Sequence, residues 1–270
     1  MNKEKEFDKI CKDIKSIKIQ GAENIAKSAF YAYKLIPTKK SKEKLISLRP
    51  TEPMLQNILK IADKISYKQL TEKLKENQQI INKNIFRLIK NNSVIFTHCH
   101  SSTIIKALIY SHKKGKKFEV YNTETRPLFQ GRKTEEELRK AGIKVTMFID
   151  SAAKIALTKE QDSEEKTKPA DIVLIGADAI TKKGVINKVG SGIIAEIARL
   201  NNIPLYIVSD SLKYSKKSIK LEQRNTKEVW NKKKIKIKNP AFEFIYKKDI
   251  KGIISELGIL SYNQFLKKVK

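Results

Sequence analysis

The chain has 270 residues, of which 40% are hydrophobic, enough for one large domain or two smaller ones with their own cores. Its formal net charge is +28, but lysine is spread along the whole length, which indicates a solvated surface that attracts small polyanions and disfavours a dedicated nucleic-acid reader. No apolar run reaches the ~18 residues of a membrane span, and two distant cysteines, Cys11 and Cys99, exclude a disulfide framework and favour the reducing cytoplasm.

Residues 1–90 are predicted to form a helical domain. Apolar side chains recur with helical period through most of this stretch, and Gly21 separates the first helix from the second. A turn bracketed by Pro50 and Pro53 precedes a further helix, and a long amphipathic helix is expected over about 66–90.

Residues 91–270 are predicted to form an α/β domain with a Rossmann-like, doubly wound parallel sheet, because short apolar runs alternate with helical patterns. The polar stretch 158–169 is expected to be an exposed loop, and the tail to hold a strand at 242–246 and a short helix near 249–258. The strand-like runs lie at 94–99, 118–124, 144–150, 171–178 and 204–211.

The first motif that can carry chemistry is THCHSST at 97–103. A strand followed by Ser101 at the start of a helix offers hydroxyls and free backbone N–H groups to an anion. Cys99 lies at the same point, where a helix N-terminus lowers the pKa of a thiol. The alternative is a small buried apolar cysteine. The flanking histidines lack the further ligands that a metal would need.

The second motif is YNTETRPLFQGR at 121–132. It follows a strand and combines Arg126, Gln130 and Arg132 with a proline and a glycine that shape the loop. Arginines held in this way can grip a phosphate bidentately. The alternative is a solvated charged loop.

The third motif is GADAITKKGVINKVGSG at 176–192, in which Asp178 follows a strand and Asn187 and Lys188 precede a glycine-rich helix start. Ligands bind outside the carboxyl ends of parallel strands, so Cys99 and Asp178 are expected at one site, where they could pass protons. A helix-capping role for Asp178 is the alternative. Arg49 and Lys213 could each reach the site or lie on the surface.

These motifs, together with IKIQGAENIAKSA (17–29), LRPT (48–51) and NPAFEFI (239–245), resemble one family. It unites ribose-1,5-bisphosphate isomerase, methylthioribose-1-phosphate isomerase and the regulatory subunits of the translation initiation factor 2B exchange factor. The archaeal ribose-1,5-bisphosphate isomerases are the most similar branch, notably in THCHS, VINK and NPAFE.

The resemblance implies an aldose–ketose isomerase that converts ribose 1,5-bisphosphate to ribulose 1,5-bisphosphate in nucleoside monophosphate degradation. Cys99 and Asp178 would be catalytic, with no metal and no cofactor. It also implies a cytoplasmic homo-oligomer built from dimers, up to a hexamer, and leaves open a nucleotide effector. The residues expected to bind the substrate and its phosphates are Gly21, Ala22, Arg49, Ser101, Arg126, Gln130, Arg132, Asn187, Lys188 and Lys213.

The chain departs from the family pattern at several places, including a longer loop at 158–169 and a shorter segment at 213–229. Gln20 stands where relatives carry an arginine, and the segment after LRPTEP lacks a glycine-rich stretch that helps to cover the substrate. Two alternatives therefore stay open. One is the methylthioribose-1-phosphate reaction, whose substrate has a single phosphate. The other is a non-catalytic binding protein like the regulatory subunits, which could touch RNA through its lysines.

Overall fold

A computed structural model of the chain describes residues 2–159, 167–221, 223–232 and 234–269. The predicted helical stretch is confirmed, and the start signals in the sequence explain where its helices begin. Thr38 and Ser66 each form a capping box with the residue three positions on, and Pro53 occupies the first turn of its helix. The helices are α1 Lys3–Lys15, α2 Ala22–Leu35, α3 Lys39–Leu48, α4 Pro53–Ile61 and α5 Tyr67–Leu88.

The long helix α5 contributes to two hydrophobic cores. Leu70 and Leu74 pack with α1–α4, whereas Ile81 and Ile85 pack with the sheet that follows. The cores thus meet within one continuous helix, and the division of the chain at residue 90 stays a prediction.

The second part alternates strands and helices as predicted. Gly115, which follows α6, has a φ of +90° and ends that helix as a glycine in the left-handed region does. The elements are β1 Ser93–Thr97, α6 Ser102–Lys113, β2 Phe118–Thr123, α7 Gln130–Lys140, β3 Lys144–Phe148, α8 Ala153–Leu157, β4 Ile172–Ile175, β5 Ala179–Ile180, β6 Gly184–Lys188, α9 Ser191–Leu200, β7 Leu205–Val208, β8 Phe242–Tyr246, β9 Gly252–Ser255, β10 Gly258–Leu260 and α10 Tyr262–Lys268.

The main sheet has the order β10-β9-β7-β4-β1-β2-β3 within the described residues, and all of its neighbouring pairs are parallel except β9 and β10. Side chains of β1 alternate between two cores: Val94 and Phe96 face the one that includes α8 and α9, and Ile95 faces the one that includes α5 and α6. Both faces of the sheet are covered, which confirms the doubly wound α/β fold.

The structure corrects the prediction for the tail. The segment near 249–258, expected to be a helix, holds β9 and the start of β10, because a short apolar run cannot be assigned by periodicity alone. The predicted strand at 242–246 is present as β8. It belongs to a second, antiparallel sheet of order β5-β6-β8, which the sequence did not indicate. Most of the polar loop predicted at 158–169 lies outside the described residues, at 160–166.

The chain turns back at the centre of the main sheet. From β1 the connections run outward through β2 to β3, and from β4 they run the other way through β7 to β9. The carboxyl ends of β1 and β4 therefore flank the point where the strand order reverses, where open α/β sheets form their ligand crevice.

Candidate active site

Cys99 lies in a tight turn between β1 and α6. Its φ is +65°, an uncommon value for a residue with a side chain. Two threonine hydroxyls hold the turn: Thr125 Oγ1 accepts from the Cys99 N–H at 3.0 Å, and Thr134 Oγ1 donates to the Cys99 carbonyl at 2.8 Å. Since a left-handed non-glycine residue costs of order 1–2 kcal/mol, these bonds keep the thiol in an orientation that the backbone alone would not favour.

Asp178 follows β4, on the other side of the reversal point. Its backbone N–H donates to Ile186 O at 2.9 Å, which ties it to the second sheet. Gly176 allows the two strand ends to approach, because a Cβ there would lie 3.1 Å from both side-chain atoms of Ser101. The thiol turn and the carboxylate therefore share one crevice, as the sequence predicted.

A cavity of about 330 Å³ occupies this crevice and extends to the helical part of the chain. Its volume is in the usual range for small-molecule sites. Most of the predicted site residues line it: Gly21, Ala22, Arg49, Cys99, Ser101, Gln130, Asp178, Asn187, Lys188 and Lys213.

Arg126 and Arg132, predicted to grip phosphate, do not line the cavity. Both are exposed, and their guanidinium groups lie 4.9 and 3.7 Å from the centroid of the Phe129 ring. Arg132 also pairs with Glu124 at 3.2 Å. The loop is held through its backbone, because the Asp150 carboxylate accepts from the N–H of Arg126 at 2.6 Å. A phosphate contact by either arginine is not supported by this geometry.

The cations that do reach the cavity come from several elements. Lys188, at the end of β6, is only 8% exposed, with its ammonium 5.3 Å from the centroid of Phe242. Lys213 Nζ donates to the carbonyl of Ala177, next to Asp178, at 2.5 Å. Arg49 is buried in an ion pair with Glu52. Lys188 and Lys213 therefore bring positive charge close to the thiol and the carboxylate, whereas the charge of Arg49 is paired with Glu52.

The expected lowering of the thiol pKa is wrong for this site. Burial raises the pKa of Cys99 to about 11, although the charge of Lys188 and the backbone N–H of His100 act in the opposite direction. Negative charge on Asp178 and Asp150 raises the pKa further. The loss of water around the sulfur outweighs the positive end of α6, so the thiol is protonated at neutral pH.

Other residues that line the cavity carried no clear signal in the sequence. Asp210 follows β7 and is 8% exposed, and burial raises the pKa of its carboxyl. Asn77 of α5 donates to Asp210 at 2.7 Å across 133 positions of sequence, a link that no local pattern reveals. Arg224 also lines the cavity and binds Glu228 bidentately at 2.6 and 2.9 Å.

In residues 2–159, 167–221, 223–232 and 234–269, no group of three or more His, Cys, Asp or Glu side chains could hold a metal ion. No helix in that part of the chain combines the length and the apolar character needed to cross a membrane.

Comparison with known proteins shows which family the chain belongs to. Residues 37–262 match the model of the initiation factor 2 subunit family. The chain belongs to this family. Ribose 1,5-bisphosphate isomerase of Archaeoglobus fulgidus is 30% identical, over 92% of this chain and 87% of its own. The enzyme of the same name from Methanocaldococcus jannaschii is 33% identical, over 92% and 89%.

A solved structure with a similar fold supports this assignment. Translation initiation factor eIF-2B of Pyrococcus horikoshii OT3 is similar with a TM-score of 0.81 and 25% identity, over 94% of this chain and 96% of that chain. The resemblance predicted from the motifs is confirmed, and the chain is an isomerase of the initiation factor 2 subunit family.

Proposed function

We propose that the protein is a sugar-phosphate aldose–ketose isomerase that converts ribose 1,5-bisphosphate to ribulose 1,5-bisphosphate. The observation that carries the proposal is the placement of Cys99 and Asp178 on the two sides of the sheet reversal, facing one cavity. The similarity to two enzymes named for this substrate supports it. In this proposal the enzyme acts in nucleoside monophosphate degradation and resides in the cytoplasm.

The reaction requires a proton to move from C2 to C1 and the sugar ring to open. In our proposal Asp178, in its protonated form, donates to the ring oxygen as the bond from C1 to that oxygen breaks. The thiolate of Cys99 takes the proton from C2, which gives an enol phosphate, and returns it to C1. The Asp178 carboxylate then accepts the proton of the C2 hydroxyl, which leaves the ketone and restores both groups.

The raised pKa of the thiol fits this cycle. One proton moved from the Cys99 thiol to the Asp178 carboxylate produces both active forms at once. Since burial raises the pKa of Cys99 to about 11, this transfer is uphill, and the thiolate with the carboxylic acid is the minor form of the pair. A turnover of about 10 s⁻¹ corresponds to a barrier of about 16 kcal/mol, so the rare thiolate is compatible with ordinary enzymatic rates.

The phosphates are assigned to the cationic parts of the cavity. Lys188, Lys213 and the start of α9 would hold one phosphate, since they lie beside the catalytic pair. Arg49 and the start of α2 at Gly21-Ala22 would hold the other, with Ser101, Gln130 and Asn187 bonding the sugar. Gln20 also lines the cavity and is exposed, so an amide meets the ligand where relatives place a cation.

The neutral Gln20 favours a second candidate substrate, methylthioribose 1-phosphate, which carries one phosphate fewer. The bisphosphate needs the second cationic end of the cavity for its second phosphate, and the monophosphate does not. Replacement of Arg49 by Gln should raise the KM for the bisphosphate strongly and the KM for the monophosphate little.

The deciding experiment follows α-ribose 1,5-bisphosphate by NMR with the purified protein, beside methylthioribose 1-phosphate at equal concentration. We expect ribulose 1,5-bisphosphate from the wild type and from Cys11→Ala, and none from Cys99→Ser or Asp178→Asn. Cys11 is the matched control, because its thiol is 4% exposed within the core of the helical part. Product from Cys99→Ser at the wild-type rate would disprove the mechanism, and an inert wild type with both sugars would favour a binding protein.

We also propose that the protein assembles as a homo-oligomer built from dimers, up to a hexamer, and that a nucleotide acts as an effector that basal turnover does not require. Light scattering coupled to size exclusion measures the first. Turnover with and without added nucleoside monophosphate measures the second. A monomer whose turnover is unaffected by nucleotides would contradict both.

A further inference from the structure

His98, the residue before Cys99, joins the thiol turn to the turn that follows Lys188. Its ring is 2% exposed, at the carboxyl end of β1. Nδ1 lies 2.5 Å from Thr123 Oγ1 on β2, and Nε2 lies 2.9 Å from the carbonyl of Val189. One side chain thus spans β2, β1 and the loop between β6 and α9.

The partners of His98 determine its protonation. The Val189 carbonyl can only accept, so Nε2 carries the hydrogen. Nδ1 is then free to accept from the hydroxyl of Thr123. Burial lowers the pKa of His98, so the ring is neutral and is not a proton donor to the substrate. Both of its ring nitrogens bond to groups of the protein. Unlike Cys99 and Asp178, it is therefore not assigned a proton transfer with the substrate.

The loop on the other side is built to receive this ring. Gly190 has a φ of +103°, and a Cβ at this position would lie 2.9 Å from His98 Nε2 and 3.0 Å from Cε1. The loop therefore packs directly against the imidazole. Lys188 is two residues before this contact, and its charge is the strongest one favouring the thiolate of Cys99.

We propose that His98 is a positioning residue that fixes the turn after β6, and with it Lys188 at the end of that strand, relative to the Cys99 turn, so that the lysine charge acts on the sulfur. The charged groups that face the thiol are Lys188, Asp178 and Asp150. With this contact released, the strand end that carries Lys188 is no longer held against the Cys99 turn, and the lysine charge acts less on the sulfur. The inference rests on the proposed function only in that Cys99 and Lys188 are assigned to that reaction.

The test compares the alkylation of Cys99 by iodoacetate, an anion, and by iodoacetamide, its neutral analogue, with the modified peptides resolved by mass spectrometry. Both reagents react with the same thiolate and have nearly the same size. The ratio of their rates is therefore independent of the accessibility of the thiol and reports the local electrostatic potential. We expect His98→Leu and Gly190→Ala to lower this ratio at Cys99 by about 3- to 10-fold at low salt. His98→Gln should keep most of it, because an amide can donate to Val189 and accept from Thr123.

The second cysteine is an internal control. The ratio at Cys11, buried in the helical core, should not change in any variant. If His98→Leu unfolds, alkylation of Cys11 accelerates, and Gly190→Ala, which loosens the same contact from the opposite side, then decides. A ratio at Cys99 within twofold of the wild type in folded Gly190→Ala would overturn the proposal. Because no turnover is measured, failure of the proposed isomerisation and failure of this inference give different results.

Discussion

Replacing Gly190 by alanine tests the packing behind the thiol in the unliganded protein, and Gly115 provides the matched control. Both glycines have a φ in the left-handed region, +103° and +90°. A Cβ at Gly115 would meet nothing within 4 Å, whereas a Cβ at Gly190 would lie 2.9 Å from the buried His98 ring. The two substitutions therefore share a backbone cost and differ in the side-chain contact.

The two substitutions should differ clearly in their effect on the free energy of unfolding. Gly115→Ala should lower the free energy of unfolding by about 1–2 kcal/mol, the cost of an L-residue in that conformation. Gly190→Ala should lower it by about 3–6 kcal/mol, because the His98 ring is held by two hydrogen bonds and cannot move aside. Overpacking adds about 1–3 kcal/mol, and a weakened bond to Val189 adds about 1 kcal/mol.

Equilibrium urea unfolding followed by far-UV circular dichroism measures both values, and turnover is assayed in parallel. Gly115→Ala should keep wild-type kcat/KM, since it lies after α6, away from the cavity. Gly190→Ala should lose turnover as well as stability. Equal losses of stability in the two variants would refute the reasoning, because they would show that the loop does not pack against His98.

Three further predictions follow from the site. Since the active thiolate and carboxylic acid together hold as many protons as the resting thiol and carboxylate, kcat/KM should stay flat from about pH 7 to 9, below the Cys99 pKa of about 11; a tenfold rise per pH unit in this range would contradict the internal proton transfer. Asn77→Leu should destabilise the fold by about 1–3 kcal/mol, and more at pH 8 than at acid pH. The reason is that burial already raises the pKa of Asp210, and the protonated acid does not need the lost donor; unfolding curves at both pH values test this. Arg132→Gln should leave the KM within about threefold while Lys188→Gln raises it more than tenfold, as steady-state kinetics will show; the reverse order would mean that the arginine loop closes on the substrate.

Much of the fold could be predicted from periodicity. The capping residues Thr38 and Ser66, the change of period near residue 93 and the apolar runs at 94–99 and 171–178 are local signals, and the elements follow them. The elements at the end of the chain could not be predicted from periodicity. The run at 252–260 is short and apolar, and only its neighbours decide whether such a run pairs as a strand.

The catalytic candidates could be placed together because each follows a strand, and parallel strands end at one edge. The charge state of Cys99 could not be predicted, because it depends on how much water the folded chain removes from the sulfur. Arg126 and Arg132 were expected in the cavity because their motif also follows a strand. Their motif is next to the site, but Phe129 and Glu124 hold their side chains elsewhere.

The sequence by itself determined what depends on neighbouring residues: the helices and most strands, the α/β class, the pair Cys99 and Asp178, and the family. The tertiary structure decided what depends on residues far apart in the chain. His98 against Gly190 and Asn77 against Asp210 are contacts of this kind. They exist only once the sheet has brought distant loops together, and burial and charge, which set the chemistry, are properties of that assembled environment.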